Sequence, residues 1–381
     1  MTLSTRSLLR QLHLWFGLSL GLVFAVLGLT GSALVFYVEI DAALHKQVMS
    51  DAGLPAPEWE SAVWDQALMT ARAHRPDPGG EWSFEVTGES GSIPARYYPP
   101  SHLNGHHAER EMVWFSADGA RIVRSDRWGA YLMSWLYELH MHLLAGETGR
   151  QIVGWSGFAI LLLLVTGMML WWPRGSWRKA LAFKRNAVPV RRIRDIHKLS
   201  GLWSLGLLSL LVLTGALLAL PDIKDRLYAA TISAPHTVPS PSSSAASGKQ
   251  IPVSQALKAA HRALPDASLA FIDVPGVGDK PFRFRVQVAG DLHGRFPGSF
   301  VFVDQYSGEV LAVHDIRDGT ASSAVNNWIR ALHDGSIGGQ LGRFLAVILG
   351  FVPVLLYITG FLYWYRRLAS RAQFNLTGSI S

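Results

Sequence analysis

Four apolar runs without a single charge constrain this chain more than any other feature of its sequence: residues 14–38, 152–172, 199–220 and 344–365. Crossing a hydrocarbon layer of about 30 Å takes roughly 20 helical residues, and each run is long enough. The expected class is therefore a membrane protein, mainly α, built on a four-helix transmembrane bundle. Composition agrees, since 17% of residues are charged where soluble domains carry about a quarter. The first run could also be a secretory leader, with Arg6 and Arg10 as its basic region and Gly31-Ser32-Ala33 as a cleavage site. It is long for a leader, however, and the third run matches it, so it reads as a span.

The basic residues set the orientation. Residues 174–198 hold nine Lys/Arg and one acid, Asp195; Arg6 and Arg10 flank the first run, and Arg366, Arg367 and Arg371 follow the last. By the positive-inside rule these segments, and both termini, are expected in the cytoplasm. Residues 39–149 hold eight Lys/Arg against sixteen Asp/Glu, and residues 221–342 eleven of each. Both are expected outside. The net charge of +7 is then mostly topological, and its placement beside lipid-facing spans argues for the bilayer and against nucleic acid as partner. The chain has no cysteine. Disulfides, Fe–S clusters, thiolate zinc sites and c-type haem attachment are excluded.

The spacing of polar residues shows an internal duplication. Arg10, His13, Gly17 and Thr30-Gly31 in the first run answer to Arg194, His197, Gly201 and Thr214-Gly215 in the third, with 17 residues from His to Thr in both. Trp135, Leu139, His140, Gly149, Arg150, Thr166-Gly167 and Trp171 recur as Trp328, Leu332, His333, Gly342, Arg343, Thr359-Gly360 and Trp364, each 193 residues later. Two parallel tandem units are expected, related by an axis along the membrane normal. Helix 1 then faces helix 3, and helix 2 faces helix 4. Gly17, Gly31, Gly167, Gly201, Gly215 and Gly360 would let helices approach closely.

The expected order is a cytoplasmic N-terminus and first span (1–38), a first periplasmic module (39–127), an interfacial His-bearing helix (128–149) and a second span (150–173). A basic loop (174–198), a third span (199–220) and a linker with a second module (221–324) follow. A second His-bearing segment (325–342), a fourth span (343–365) and a cytoplasmic tail (366–381) complete it. Both modules read as α+β. The second has a helix over 254–264, strands at 282–288 and 299–303, a turn closing at Gly308 and a strand over 309–313. The first has a helix over 59–73 and strands at 82–86, 95–98, 112–115 and 121–123, with an Asp118-Gly119 turn. The Ser/Pro-rich stretch 235–248 reads as a flexible linker.

Ionisable residues at membrane depth mark function. A single His at an interface is ordinarily a polar anchor. Four at matched positions read instead as two facing pairs, His13 with His197 on the cytoplasmic side and His140 with His333 on the outer side. Two imidazoles from different helices are a common axial ligation of b-type haem, so two haems are expected. Arg10, Arg194, Arg150 and Arg343 are candidate propionate partners, with snorkelling anchorage as the alternative. His45 and His142 are competing outer ligands without matched counterparts. His140 and His333 precede Gly149 and Gly342 by nine residues, so short interfacial helices folding back over the bundle should carry them, at 128–143 and 325–333. His102, His106 and His107 form a loop cluster that reads as solvated.

The run His13, Thr30-Gly31, His140, His197, Thr214-Gly215, His333 and Thr359-Gly360 resembles the PepSY-associated transmembrane family. Val303-Asp304-Gln305-Tyr306-Ser307-Gly308-Glu309-Val310 is similar to a PepSY module. The resemblance implies an inner-membrane reductase of ferric siderophores, of the ferrioxamine-linked type, with haem in the bundle and PepSY-like outer modules. No Gly-rich nucleotide loop or flavin site is evident. The electron donor would be external: a reduced flavin, a reductase or a quinol. Two other readings remain. One is a b-type cytochrome shuttle or quinol-linked oxidoreductase with another acceptor. The other is a non-enzymatic PepSY-type binding or regulatory protein.

Overall fold

Four helices are long and apolar enough to cross a membrane in the computed structural model of the chain: Thr5–Leu34, Gly146–Trp171, Pro189–Ala219 and Ser336–Ala369. The structure describes residues 3–49, 56–88, 91–100, 110–173, 175–234, 237–244 and 248–378. His102, His106 and His107 lie outside the described residues. The chain divides into a helical unit, Met1–Phe36 with Leu136–Pro221 and Leu332–Ser381, and a sheet unit, Tyr37–Trp135 with Asp222–Ala331.

In chain order the helices are α1 (Leu3–Leu34), α2 (Tyr37–Leu44), α3 (Val63–His74), α4 (Leu132–His142), α5 (Gly146–Trp171) and α6 (Trp177–Leu181). Then come α7 (Pro189–Ala219), α8 (Pro221–Thr231), α9 (Val253–Ala263), α10 (Ala321–His333) and α11 (Gly339–Gly378). In the helical unit α1 packs along α11 and α5 along α7, and α7 against α11 and α1 against α5 complete the bundle. The first and third spans thus occupy opposite corners rather than a shared seam. Glycine makes the tightest crossing possible. A Cβ on Gly28 would lie 2.3 Å from the Gly350 carbonyl oxygen, and one on Gly350 would lie 2.1 Å from Ser32 Oγ.

The third span begins earlier than its apolar run. Pro189 takes the first turn of α7, where its missing N–H costs nothing, and Arg191, Arg192 and Arg194 are already helical. Much of the expected basic loop is therefore helix, counting α6. Arg and Lys are good helix formers, so loss of apolar character does not mark a helix end.

The His-bearing helices α4 and α10 stop short of the following spans, as expected, with bounds shifted by a few residues. Leu143, Leu144 and Gly146 have φ of 47°, 58° and 57°, and Gly335 and Gly339 have 77° and 57°. The chain turns so sharply that a Cβ on Gly149 would lie 1.6 Å from the His142 carbonyl oxygen, and one on Gly342 2.2 Å from that of Gly335.

In the sheet unit the strands expected of the two modules form a single sheet. Its strands are β1 (Glu81–Glu85), β2 (Ile93–Tyr98), β3 (Glu111–Phe115), β4 (Ile122–Arg127), β5 (Ser268–Val274), β6 (Phe282–Gln287), β7 (Ser299–Val303) and β8 (Val310–His314). They form one antiparallel sheet in the order β4-β3-β2-β1-β5-β6-β7-β8. β1 and β5 join the halves, with Ser83 opposite Asp273. β5 has no counterpart among the sequence expectations. One sheet face is covered by α3 through Trp64, Ala67, Leu68 and Ala71, and by α9 through Val253, Ala256, Leu257 and Ala260. Both sets follow the i, i+3, i+4, i+7 stripe of an amphipathic helix. They close over fully buried Phe84, Ile272, Phe282, Phe284 and Val301. Each such side chain contributes about 1.5–3 kcal/mol of burial. Gly119 and Gly308 take the expected left-handed turns, at φ 71° and 79°.

The described part of the supposed flexible linker is anchored at Ser243 and Ser244. Ser243 is buried, its hydroxyl accepts from Gln305 N–H at 3.1 Å, and Ser244 N–H donates to Asp304 at 2.6 Å. Polar composition predicted mobility, but Ser here supplies the hydrogen bonds that hold the segment down.

Candidate functional site

Four threonines in the spans orient four histidines. His13 Nδ1 lies 3.0 Å from Thr166 Oγ1, His140 Nδ1 3.1 Å from Thr30, His197 Nδ1 3.0 Å from Thr359 and His333 Nδ1 3.3 Å from Thr214. Each Nδ1 also meets the backbone carbonyl three residues before that threonine. The distance is 3.0 Å to Leu27, Leu356 and Leu211 for His140, His197 and His333, and Leu163 serves His13. Each threonine hydroxyl donates to a carbonyl of its own helix: Val26, Leu163, Leu210 and Leu355.

This settles the tautomer. A carbonyl only accepts, and a hydroxyl whose proton is committed also accepts. Every Nδ1 must therefore carry the proton, which leaves Nε2 with its lone pair. A neutral imidazole fixed through Nδ1–H and presenting Nε2 is the usual form of a metal-ligating histidine.

The glycine after each threonine makes room for the ring. A Cβ on Gly31, Gly167, Gly215 or Gly360 would stand 2.8, 3.1, 2.7 or 3.3 Å from Cε1 of His140, His13, His333 or His197. These four glycines admit histidine rings rather than a neighbouring backbone. Gly17 has nothing within 4 Å, and Gly201 meets only Leu356 at 3.4 Å. The Thr-Gly pair is legible as a recurring motif, but its function requires knowing which helix lies opposite.

The structure brings His140 and His333 together, with ring centroids 6.3 Å apart. A metal–imidazole bond is about 2.0 Å and a ring nitrogen sits about 1.1 Å from its centroid, so two imidazoles sharing one metal have centroids about 6 Å apart. The pair fits axial ligation. Burial pushes the His140 imidazole down to about 4, and His333 opposite adds to the effect, so it is neutral at physiological pH. His13 and His197 are likewise within electrostatic reach of each other. Along α1, His13 and Thr30 are 17 residues apart, so the two levels are separated by about 26 Å. Among the described residues no group of three or more His, Asp or Glu is placed to hold a metal ion.

The arginines divide. Arg150 donates to the Ala219 carbonyl at 3.0 Å and pairs with Glu147, and Arg343 donates to the Val35 carbonyl at 2.7 Å and lies over Phe36. Both satisfy carbonyls at the end of a neighbouring helix, where cations are favoured. Arg194 is 3.7 Å from Asp195, and Arg10 is exposed. His142 pairs with Glu138 at 2.8 Å, and His45, in the sheet unit, with Asp41 at 3.2 Å. Neither shares the Thr-Gly setting of the other four.

A family model described as the PepSY-associated TM region matches residues 10–367. An uncharacterized protein of Pseudomonas aeruginosa is 35% identical over 94 residues, 25% of this chain. That match spans 23% of the relative's length.

Proposed function

The chain belongs to the family of PepSY-associated TM regions, and from that premise we propose that it is a two-haem electron carrier of the bacterial inner membrane that reduces ferric siderophores. The observation carrying this reading is the fourfold His–Thr–carbonyl arrangement, in which each Nε2 keeps its lone pair. A surface anchor needs no fixed tautomer. His140 and His333 would hold one haem and His13 and His197 the other, and bound haem would supply one-electron Fe(III)/Fe(II) chemistry at each level.

The chain's own residues do the rest. The threonines and leucine carbonyls hold the ligand rings in one orientation and raise their basicity. The glycines admit those rings, and the apolar helices exclude water. Reduction of Fe(III) to Fe(II) weakens its hold by hard oxygen donors, which releases iron from a siderophore. The donor would be a reduced flavin, a reductase or a quinol at the basic face. On the same reading the matched halves are parallel tandem copies, both termini are cytoplasmic and the sheet unit, made of two PepSY-like modules, is periplasmic.

The test is the visible spectrum of detergent-purified protein before and after dithionite, with a pyridine haemochrome count. Two b-type haems are expected, with one lost in His140→Ala or His333→Ala and the other in His13→Ala or His197→Ala. Protein that stays colourless after haem supplementation would refute the reading and leave a PepSY-type binding protein.

A further inference from the structure

The sheet face turned away from α3 and α9 carries a cluster of arginines and phenylalanines that the electron carrier does not use. Alternation along the strands puts Arg96 of β2, Glu85 of β1, Phe271 and Asp273 of β5, Arg283 and Arg285 of β6 and Phe300 of β7 on this face. Three rings surround the Arg285 guanidinium: Phe271 at 5.6 Å, Phe296 at 5.9 Å and Phe300 at 5.0 Å. Arg330 of α10 lies 5.2 Å from the Phe296 centroid, as does Arg295.

Three of these five arginines are paired with carboxylates. Arg96 and Arg295 share Glu85, at 2.8 and 3.1 Å, and Arg283 binds Asp273 at 2.7 Å. Arg285 and Arg330 have neither a hydrogen bond nor an ion pair among the described residues. Asp291, an acid within electrostatic reach of Arg285, spends its carboxylate on the N–H groups of Gly298 at 2.6 Å and His293 at 3.5 Å. Burial holds Arg285 down to about 10 against the pull of Asp273, with Arg283, Arg330 and Arg96 adding to the effect, so it stays charged at neutral pH. Two guanidinium forks that make no hydrogen bond among the described residues, one of them set among three phenyl rings, are suited to oxyanions.

We propose that Arg285, set among Phe271, Phe296 and Phe300, and Arg330, beside Phe296, bind an anionic ferric chelate with carboxylate or catecholate donors. The inference rests on the reductase reading and names its substrate class. Three hydroxamates only cancel the charge of Fe(III), so a trihydroxamate chelate offers this site nothing to neutralise. Catecholate and polycarboxylate chelates keep net negative charge, which the two guanidinium groups can meet.

The test uses full-length protein in detergent and gallium(III) chelates, which have the charge and shape of the ferric forms but are not reduced. Ga(III)–citrate, a Ga(III) tris-catecholate and a Ga(III) trihydroxamate are titrated calorimetrically. At least one anionic chelate should bind ten times more tightly than the trihydroxamate, and the citrate and catecholate arms tell which donor is preferred. Arg330→Gln and Arg285→Gln should each weaken that binding about tenfold, or 1.4 kcal/mol, and salt should weaken it further. Arg330 is exposed, so its variant should fold normally, and Arg121→Gln serves as control. Equal affinity for the trihydroxamate, or wild-type affinity in both variants, overturns the proposal. Chelate binding without reduction of its iron form would instead sink the reductase and leave the site standing. Reduction of chelates of any charge, with unchanged KM in both variants, would do the reverse.

Discussion

Replacing Gly31 by alanine probes the histidine setting with a single methyl group. Its Cβ would stand 2.8 Å from His140 Cε1, and ordinary contact begins near 3.4 Å, so the ring must retreat by about 0.6 Å. Nδ1 now sits 3.1 Å from Thr30 and 3.0 Å from the Leu27 carbonyl. That retreat stretches both contacts to or past about 3.5 Å, where a hydrogen bond is lost. Losing the bond costs about 1 kcal/mol and overpacking costs about 1–3 kcal/mol, so the expected destabilisation is about 2–4 kcal/mol. Gly215→Ala, whose Cβ would be 2.7 Å from His333 Cε1, should match it. Gly17→Ala and Gly206→Ala have nothing within 4 Å and should be neutral or slightly stabilising. The assay is thermal unfolding in detergent, paired with the haem count. If Gly31→Ala melts with Gly17→Ala and keeps full haem content, the ring is not held as described and the reasoning fails.

Gly28→Ala should be worse than any of these, because its Cβ meets the Gly350 backbone at 2.3 Å, and unfolding in detergent will show it. Thr166→Val and Thr359→Val keep the shape but remove one acceptor from His13 and His197. They should retain haem while moving its midpoint potential, read by redox titration. Burial pushes the Glu85 carboxyl up, but Arg295 and Arg96 outweigh it and hold it below its ordinary value. Its stabilising pairings are therefore complete above the unfolded pKa of about 4.3 and are lost as pH falls through the depressed folded value. Glu85→Gln should cost about 3 kcal/mol at neutral pH and flatten the acid limb, measured by circular dichroism against pH. Finally, the chain has no cysteine, so single cysteines report topology cleanly. Cysteine at Ser240 should react with an impermeant thiol reagent in intact cells and cysteine at Lys184 should not.

The membrane spans and the four histidines were legible because their signals are local or repeated. Apolar length finds a span, and offsets of 17 and 193 residues single out His13, His140, His197 and His333. What those residues touch was not legible. Gly31 and Gly28 look alike in sequence, yet one admits an imidazole and the other a helix. Arg150 and Arg343 carry the right charge for a propionate, but their capping role depends on where Ala219 and Val35 end their helices. β5 was missed because Ala270, Phe271, Ile272 and Val274 are buried on both faces, which erases the alternation that marks a strand.

The β1–β5 seam has a consequence in time. Ser83 pairs with Asp273, 190 residues further along, and ribosomes add roughly 5–20 residues per second. For roughly 10–40 s of each chain's synthesis β1 exists while β5, its partner on that edge, does not. A bare strand edge carrying Trp82 and Phe84 invites pairing with another nascent chain. Glu81 and Glu85 stand at the two ends of β1; Glu85 already has Arg96 of β2 as partner, and once the second half is made Glu81 also gains Lys280 and Glu85 gains Arg295.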